Sequence, residues 1–570
     1  MVGGLVPAGS VFAFLAEHRR EVFDDSFTAD LFPSATGRPS LPADLVGTVL
    51  ILKELHSLSD RQTAEAVMFD LRWKVACGLS LTAMSFDPTT LVYWRRRIAQ
   101  SERPDRVFDK VAEVIAETGI LTGRRKRCVD STVFDDAVAT QDTVTQVVAA
   151  IRRVARAVPG AGEVVARVCT LDYARAGKPA IDWDDPQAKA ELVGTLVNDA
   201  LAVLAALCGP DADERDDTAA DALGLLALVA GQDVEPAEGS TGTDGRWRIA
   251  RRVAPDRVIS IVDPAARHTR KSRSQRRDGY RGHVATEPDT GLITDCAMTM
   301  ATGEGNTDAA MGVTLITRDR FGRPDQTVPA DTERPADTEP GGIVPGGIVD
   351  LIGDGDIEAG EPTAKVVERS GDVEPAGARS GPQVGGGLEV YGDSAYGSGK
   401  ARAEYAAAGH DTVIKPKPLV PAVPGGFTLD DFTIDDQAGT VTCPGGHTRP
   451  ITKSRTVTFG KLCTDCPLRD RCTTAKTGRS MTLHEHEALL RAARAQGRTA
   501  EFNATYPTRS NVERTIAHLA TQNGRRVKLR YHGVQKNHAW LRTRAAAVNL
   551  RTLLRHGLTR TNDVWALAPA

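Results

Sequence analysis

The stretch Thr505-Tyr506-Pro507-Thr508-Arg509-Ser510-Asn511-Val512-Glu513-Arg514-Thr515-Ile516 holds the residues with the clearest capacity for chemistry. Proline is tolerated in the first turn of a helix and not deeper, so the spacing predicts a helix opening just after Pro507. Arg509 and Glu513 then stand four apart on one face, with Tyr506 one turn upstream. Val512, Ile516 and Leu519 can bury the rest of the helix, which would hold Glu513 rigid. From Arg514 to Asn562 the chain has no Asp or Glu, while Lys and Arg recur throughout. A carboxylate at the head of a wholly cationic segment suggests an acid that binds a metal beside a polyanion. The plain alternative is an exposed helix pair worth roughly a few tenths of a kcal/mol.

Two more acids stand at places where strands are expected. Arg127-Cys128-Val129-Asp130-Ser131-Thr132-Val133-Phe134 is short and β-branched, and it puts Asp130 on a strand. Leu388–Asp393 ends a second β-rich run in Asp393, and the small residues after it open a helix at about Lys400. An acid at the carboxyl end of a strand, just before a helix, is where α/β sheets carry functional side chains. A turn or cap role is the alternative for each. A separate cluster is Cys443, Cys463-Thr464-Asp465-Cys466 and Cys472, whose Cys-x-x-Cys core suggests a structural Zn²⁺ held by four thiolates. His447 is a substitute ligand in that reading, and packed free thiols are its alternative.

These residues need elements to position them. Residues 1–125 read as short helices: Pro42 opens one striped by Leu45, Val49, Leu52 and Leu55, and Ser59-Asp60-Arg61-Gln62 is a capping box for the next. Thr89 or Thr90 caps a third, which carries Arg95-Arg96-Arg97, and the set suits a helix-turn-helix-like DNA-binding module or a plain bundle. Residues 136–255 read as a helical insertion with amphipathic stretches near Thr143–Ala157, Ala188–Leu207 and Ala219–Val229. Strands return over 256–301, where Tyr280–Thr286 and Leu292–Met300 form a hairpin around Asp289-Thr290-Gly291. A helix follows over Asp308–Thr317. Residues 322–387 are rich in Gly, Pro, Asp and Glu, a composition that predicts a disordered acidic loop. After the segment 388–420, with its strand at Thr412–Lys417, residues 421–500 read as a small β-rich insertion around the cysteines. Residues 501–570 close the chain with the Glu513 helix, a helix from Lys536 to Leu554 and a basic tail.

A chain of 570 residues is too long for one core. Its net charge of −3 does not by itself announce a nucleic-acid partner, but acid gathers in the middle and base near the C-terminus. The cations Arg525, Arg526, Lys528, Arg530, Lys536, Arg542, Arg544, Arg551 and Arg555 can neutralise DNA phosphates, and solvated helix charge is the alternative. No apolar run approaches the roughly 20 residues of a membrane span, and the N-terminus lacks the cations of a secretory signal. Nine cysteines, five scattered in apolar segments, fit reduced thiols in a cytoplasm.

Asp130, Asp393 and Glu513, taken in order with two strands between the first pair, resemble the RNase H-like catalytic core of DDE transposases. The nearest resemblance is to the insertion-sequence type with a Tyr-x-x-Arg-x-x-x-Glu motif, carried here by Tyr506, Arg509 and Glu513. It extends to Val129–Thr132, Gly279-Tyr280-Arg281-Gly282-His283, Asp393–Gly397 and Gly37-Arg38-Pro39-Ser40, the pattern of the "eleven-eighty-two" family. The resemblance implies an α/β fold: a mixed sheet flanked by helices, split over 126–135, 256–321, 388–420 and 501–570. It implies that the three acids hold two Mg²⁺ or Mn²⁺ ions, that Arg509 and Tyr506 contact DNA, and that the partners are element ends and target DNA. It further implies a homodimer on DNA and a bacterial, nucleoid-associated setting. One departure is Ala520, where this group often has Lys; Arg525, Arg526 or Lys528 would take over its phosphate contact. A nuclease without strand transfer, or a DNA-binding descendant without activity, are the rival readings.

Overall fold

In a computed structural model, the structure describes residues 4, 6–31, 40–208, 216–254, 256–270, 276–321 and 387–568. The chain divides into two compact units: Met1–Asp136 with Gly279–Val328 and Gly386–Ala570, and Ala137–Asp278 with Pro329–Gly385. The loop expected at 322–387 lies, apart from Gly387, outside the described residues, as do Gly37, Arg38 and Pro39 and part of the basic run after Arg267.

The first unit is mixed α/β and centres on strands β1 (Lys126–Asp135), β2 (Arg276–Thr286), β3 (Ile293–Met300), β4 (Glu389–Gly392) and β5 (Asp411–Ile414). Their order is β3-β2-β1-β4-β5. β2 runs antiparallel to both β1 and β3, while β4 is parallel to β1 and β5 to β4. The β2–β3 hairpin turns at Gly291, which takes φ +73°. At the start of β2, Gly279 sits so close to β1 that a Cβ there would lie 2.0 Å from the Phe134 carbonyl oxygen. This explains why that position tolerates no side chain.

β3 is buried along both faces, so it does not show the one-sided pattern that its alternation suggested. The helix Asp308–Thr317 packs on one face and the long helix Val534–Arg555 on the other. Asn549 of the long helix brackets Ile293, accepting from its N–H and donating to its carbonyl, each at 2.8 Å. That bond pair satisfies backbone groups at the open edge of the strand. On the Asp308–Thr317 side, Val129, Ala285, Leu315, Leu388, Val390, Tyr396 and Ile414 form one apolar cluster. Full burial of an aliphatic side chain contributes about 1.5–3 kcal/mol, so this layer holds β1 and β4 in register.

The N-terminal helices are Val11–Val22, Ala43–His56, Asp60–Phe69, Leu71–Ala76, Thr89–Gln100 and Arg106–Glu117. Ser59 and Gln62 form the expected capping box. The helix at Thr89 is held instead by Asp87, whose carboxylate accepts from the Thr89 N–H at 2.8 Å. Two arginines of the run expected to face DNA are tied down. Arg95 makes paired 2.6 Å bonds to Asp60 and lies over the Tyr531 ring, and Arg97 holds the Leu31 carbonyl. Of the three, Arg96 is the one classed as exposed.

Residues 421–500 carry a separate small core of Phe432, Val441, Val457, Phe459 and Leu483 with Cys463 and Cys472. Around it lie the strands Thr433–Asp435, Thr440–Thr442 and Thr448–Pro450 and the pair Thr456–Thr458 and Ser480–Thr482.

The second unit packs the helices Thr143–Ala157, Ala161–Val168, Pro186–Leu207 and Asp217–Gln232, with a short hairpin of Val234–Pro236 and Trp247–Ile249. At 22 residues, Pro186–Leu207 is long and apolar enough to cross a membrane, contrary to the sequence expectation. Its Leu192, Val193, Leu196, Val197, Ala200 and Val203 are buried in the core of this unit, which accounts for its hydropathy.

Candidate functional site

Asp130 lies in the middle of β1, and the strand register determines its neighbours. The last β1–β4 pair is Cys128 with Tyr391. Asp130 lies two residues beyond that pair and Asp393 follows the end of β4, and the Asp393 charge reaches the Asp130 carboxyl. Side chains alternate across a strand, so Asp130 shares the face of Cys128. Cys128 and Tyr391 pack against Val512 of the helix Asn511–Ala520. The same face therefore meets the helix that carries Glu513. A Cβ at Gly392 would come 3.0 Å from the Tyr396 Cβ, so the glycine lets the chain turn at the strand end. Asp393 then accepts from the Ala395 N–H at 2.8 Å.

The helix begins later than expected. Tyr506–Ser510 forms a 3₁₀ turn, and the α-helix starts at Asn511. Arg509 on the turn still reaches Glu513, at 3.0 Å, and also Asp130, at 2.9 Å. One guanidinium thus joins residues 379 positions apart. Tyr506 stacks on Phe502 with ring centroids 5.0 Å apart and feels the charges of Arg509, Asp393, Asp130 and Glu513. The structure puts Arg509 in contact with both Asp130 and Glu513, and leaves Asp393 and Tyr506 within electrostatic reach of them.

The charges there do not balance. Burial pushes the Asp130 carboxyl up to about 6, Asp393 and Glu513 push the same way, and Arg509 and the Ser131 N–H offset only part of this. Two carboxylates bond one guanidinium and a third, Asp393, adds its charge, so the surplus is negative. Hard oxygen donors with uncompensated charge suit Mg²⁺ or Mn²⁺. Among the described residues, however, no group of three or more His, Cys, Asp or Glu side chains is clustered ready to hold a metal ion.

Beneath Asp130, on the opposite face, is a polar group centred on Asp308, which the sequence reading did not single out. Ser131 donates to Asp308 at 2.7 Å, and Arg281 reaches the same oxygen at 3.3 Å. His283 is fully buried; its Nε2 meets Thr299 Oγ1 at 3.1 Å, and burial pushes its pKa down to about 3, so it is neutral. Burial, Asp308 and Asp130 together raise the Tyr396 hydroxyl well above its ordinary value. The signal available for Asp308 was its place in a helix's first turn, where an acid reads simply as favourable to the helix dipole.

Of the cations, Arg525, Arg526, Lys528 and Arg530 are exposed. A turn through Asn523 and Gly524, both at positive φ, presents Arg525 and Arg526 on a tight hairpin. Arg526 holds the Val133 carbonyl and the Leu529 N–H donates to the Asp135 carbonyl, so this basic loop runs beside the end of β1. A cavity of about 370 Å³ opens there, lined by Lys53, Ser57, Arg525, Arg526, Lys528 and Arg530 among others. Ala520 is buried, so a Lys at that position could not reach a phosphate without unpacking the helix.

The long helix requires a correction. Arg542 and Arg544, expected to meet phosphates, are buried. Arg542 pairs with Asp295 and Asp105. Arg544 donates to the carbonyls of Leu519, Glu54, His518 and Thr521, where it caps the ends of two helices. Lys536 and Arg555 stay exposed, and Arg551 is half-buried.

Cys443, Cys463, Cys466 and Cys472 line one cavity of about 20 Å³ together with His447. Burial lifts the Cys472 thiol above its ordinary value, and the other three thiols push in the same direction. All nine cysteines are free.

Two segments match known families. Residues 442–554 match a family model described as a transposase DDE domain, and residues 5–97 match one described as a transposase domain (DUF772). The first takes in the four cysteines of the lobe, Glu513 and most of the long helix; the second takes in the N-terminal helices as far as residue 97. Both matches indicate a transposase. No curated protein and no solved structure matches the chain.

Proposed function

We propose that this protein is a DDE transposase of an insertion sequence, cutting DNA at the element's ends and joining the freed 3′-hydroxyl to target DNA. The observation that carries the reading is Arg509 bonded to both Asp130 and Glu513, with Asp393 close enough to raise the Asp130 pKa. The sheet order, with β2 antiparallel among otherwise parallel central strands, supports an RNase H-like core. The two transposase-family matches supply the substrate class, DNA.

Asp130, Asp393 and Glu513 would hold two Mg²⁺ or Mn²⁺ ions. Such ions, when bound, activate an attacking oxygen and stabilise the leaving one in phosphoryl transfer. The chain's own groups do the rest. Asp130 is held by the rigid centre of β1, and the apolar layer behind it excludes water and raises its pKa. Arg509, whose planar fork suits a phosphate oxygen pair, orients the scissile group, and Tyr506 borders the DNA on the exposed side. Arg525, Arg526, Lys528 and Arg530 track the backbone beyond the end of β1. Two chains would pair the two element ends.

The test uses the full chain, a divalent cation and DNA bearing the element's own ends. Asp130→Ala, Asp393→Ala and Glu513→Ala should each bind this DNA and fail to nick it, a loss above roughly 10³-fold for a group acting in the transition state. Nicking that survives all three changes would remove the triad. Nicking by the parent chain without joining to a target would leave a nuclease instead.

A further inference from the structure

The cysteine lobe takes no part in that chemistry, and four of its cysteines line one small cavity. We infer that Cys443, Cys463, Cys466 and Cys472 form a structural zinc site of four thiolates, which closes the lobe independently of the acid site.

Three local elements deliver the four sulfurs. Cys443 ends the strand Thr440–Thr442, Cys463 ends the 3₁₀ turn Gly460–Cys463, Cys466 follows in the Cys-x-x-Cys step, and Cys472 ends the helix Arg469–Cys472. The turn after Cys443 folds over them: Gly446 N–H donates to the Cys443 carbonyl, and Cys443 N–H to the His447 carbonyl, each at 2.9 Å. A Cβ on Gly445 would stand 3.3 Å from Cys466 Sγ and 3.7 Å from Cys443 Sγ, so the turn is fitted to the sulfurs. The Arg479 N–H already points at Cys463 Sγ, at 3.4 Å. A backbone N–H directed at sulfur is the outer-shell contact that a metal-bound thiolate takes.

Soft, borderline Zn²⁺ in a closed tetrahedron is the ion such donors select, in contrast to the hard oxygens around Asp130. The four sulfurs share a cavity but are not drawn to one point, so loading turns the side chains inward by χ1 rotation. Each thiol gives its proton to solvent as its sulfur–zinc bond forms, four protons for one ion, with no redox change. Arg469 and Arg479, which hold the Cys463 and Cys472 carbonyls, lie beside the resulting negative charge. The lobe's apolar core is small, and small cores are commonly supplemented by a metal. His447 lines the cavity, but four thiolates complete the shell without it.

Elemental analysis of the full-length protein, purified without chelator, should find about one zinc per chain. A mercurial that titrates thiols should release that zinc stoichiometrically. Cys466→Ala should abolish its retention, and His447→Ala and Asp130→Ala should keep it. The release assay on the parent chain serves even where the cysteine variant fails to fold. Zinc lost on His447→Ala would overturn the four-thiolate set. A metal-free parent chain whose thiols react freely in the native state, or carry a disulfide, would overturn the site altogether. Neither result bears on DNA cleavage.

Discussion

Two aspartates on strands of one sheet, Asp130 on β1 and Asp295 on β3, each face an arginine from the C-terminal part of the chain, and their states are opposite. Asp295 is fully buried, which alone would raise its pKa. Arg318 and Arg542 more than offset this and hold the carboxyl below its ordinary range. Arg542 is shared with Asp105, a second carboxylate held far down by the same guanidinium and His538. Around Asp130 the ratio is reversed, with one arginine among three carboxylates and a pKa pushed up to about 6. A balanced buried cluster is a structural tie. A cluster left with surplus charge is held by the rest of the fold and can accept a cation from outside, which is the electrostatic mark of a working site. The N-terminal run Arg95-Arg96-Arg97 belongs with the balanced kind for its first member, since Asp60 takes both arms of Arg95.

The largest effect that would break this contrast is at Arg542. Arg542→Ala leaves Asp295 and Asp105 without their common cation in a buried place. Breaking a buried pair from one side costs about 3–5 kcal/mol, and the loss should appear in urea or thermal unfolding. Arg509→Ala should cost less, because Glu513 is 60% exposed and hydrates readily, and Asp130, whose carboxyl already stands at about 6, can take up a proton when its cation is lost. Equal destabilisation by the two changes would mean that the clusters do not differ in kind.

The next effect is at Asp130 itself, and its sign is unusual for an aspartate. The ordinary value is 3.8 and the folded value about 6, so the folded state binds the proton more tightly than the unfolded. Stability from this group is fully present below about pH 4 and is lost as the pH rises through about 6. At neutral pH the ionised carboxylate therefore costs the fold up to about 3 kcal/mol. Asp130→Asn should unfold later than the parent at pH 8, by about 1–3 kcal/mol, and show no gain at pH 4. It should also be inactive in cleavage. A variant less stable than the parent at pH 8 would show that the surplus charge is already neutralised.

Much of this contrast was visible in residue order, and the decisive part was not. β1 with Asp130, the β2–β3 hairpin and the helix Asp308–Thr317 follow from β-branched runs, a turn with a positive-φ glycine, and periodicity. The i, i+4 pair Arg509 and Glu513 follows from helical spacing, and contact survives even though Arg509 sits on a 3₁₀ turn. That Asp393 acts on Asp130 depends on the parallel pairing of β1 with β4, strands separated by more than two hundred residues, which no local pattern encodes. The tail shows the same limit. Arg525, Arg542 and Arg544 read alike in an acid-free segment, yet the partners of Arg542 come from Asp105 and Asp295 and those of Arg544 from carbonyls at helix ends. Asp308 was hidden because a first-turn acid needs no partner, and only the strand pairing reveals Ser131, Arg281 and His283 around it.

The smallest effect sharpens the comparison between arginines with and without buried acids. Arg525 and Lys528 are exposed on the loop beside the end of β1, and neither is needed to balance a buried carboxylate. If they meet DNA phosphates, each contact releases about one counterion, and the log affinity falls with log salt by about 0.9 per contact. Arg525→Ala should then lower the salt slope by about 1 and weaken binding uniformly across sequences, with unfolding unchanged. From 50 to 200 mM salt the parent should lose roughly 3-fold more affinity than the variant, which a filter-binding series can resolve. Arg526→Ala should add a small loss of stability to the same slope change, because its guanidinium also holds the Val133 carbonyl. An unchanged slope for Arg525→Ala would take the loop off the DNA path and leave the acids around Asp130 without a cationic approach on that side.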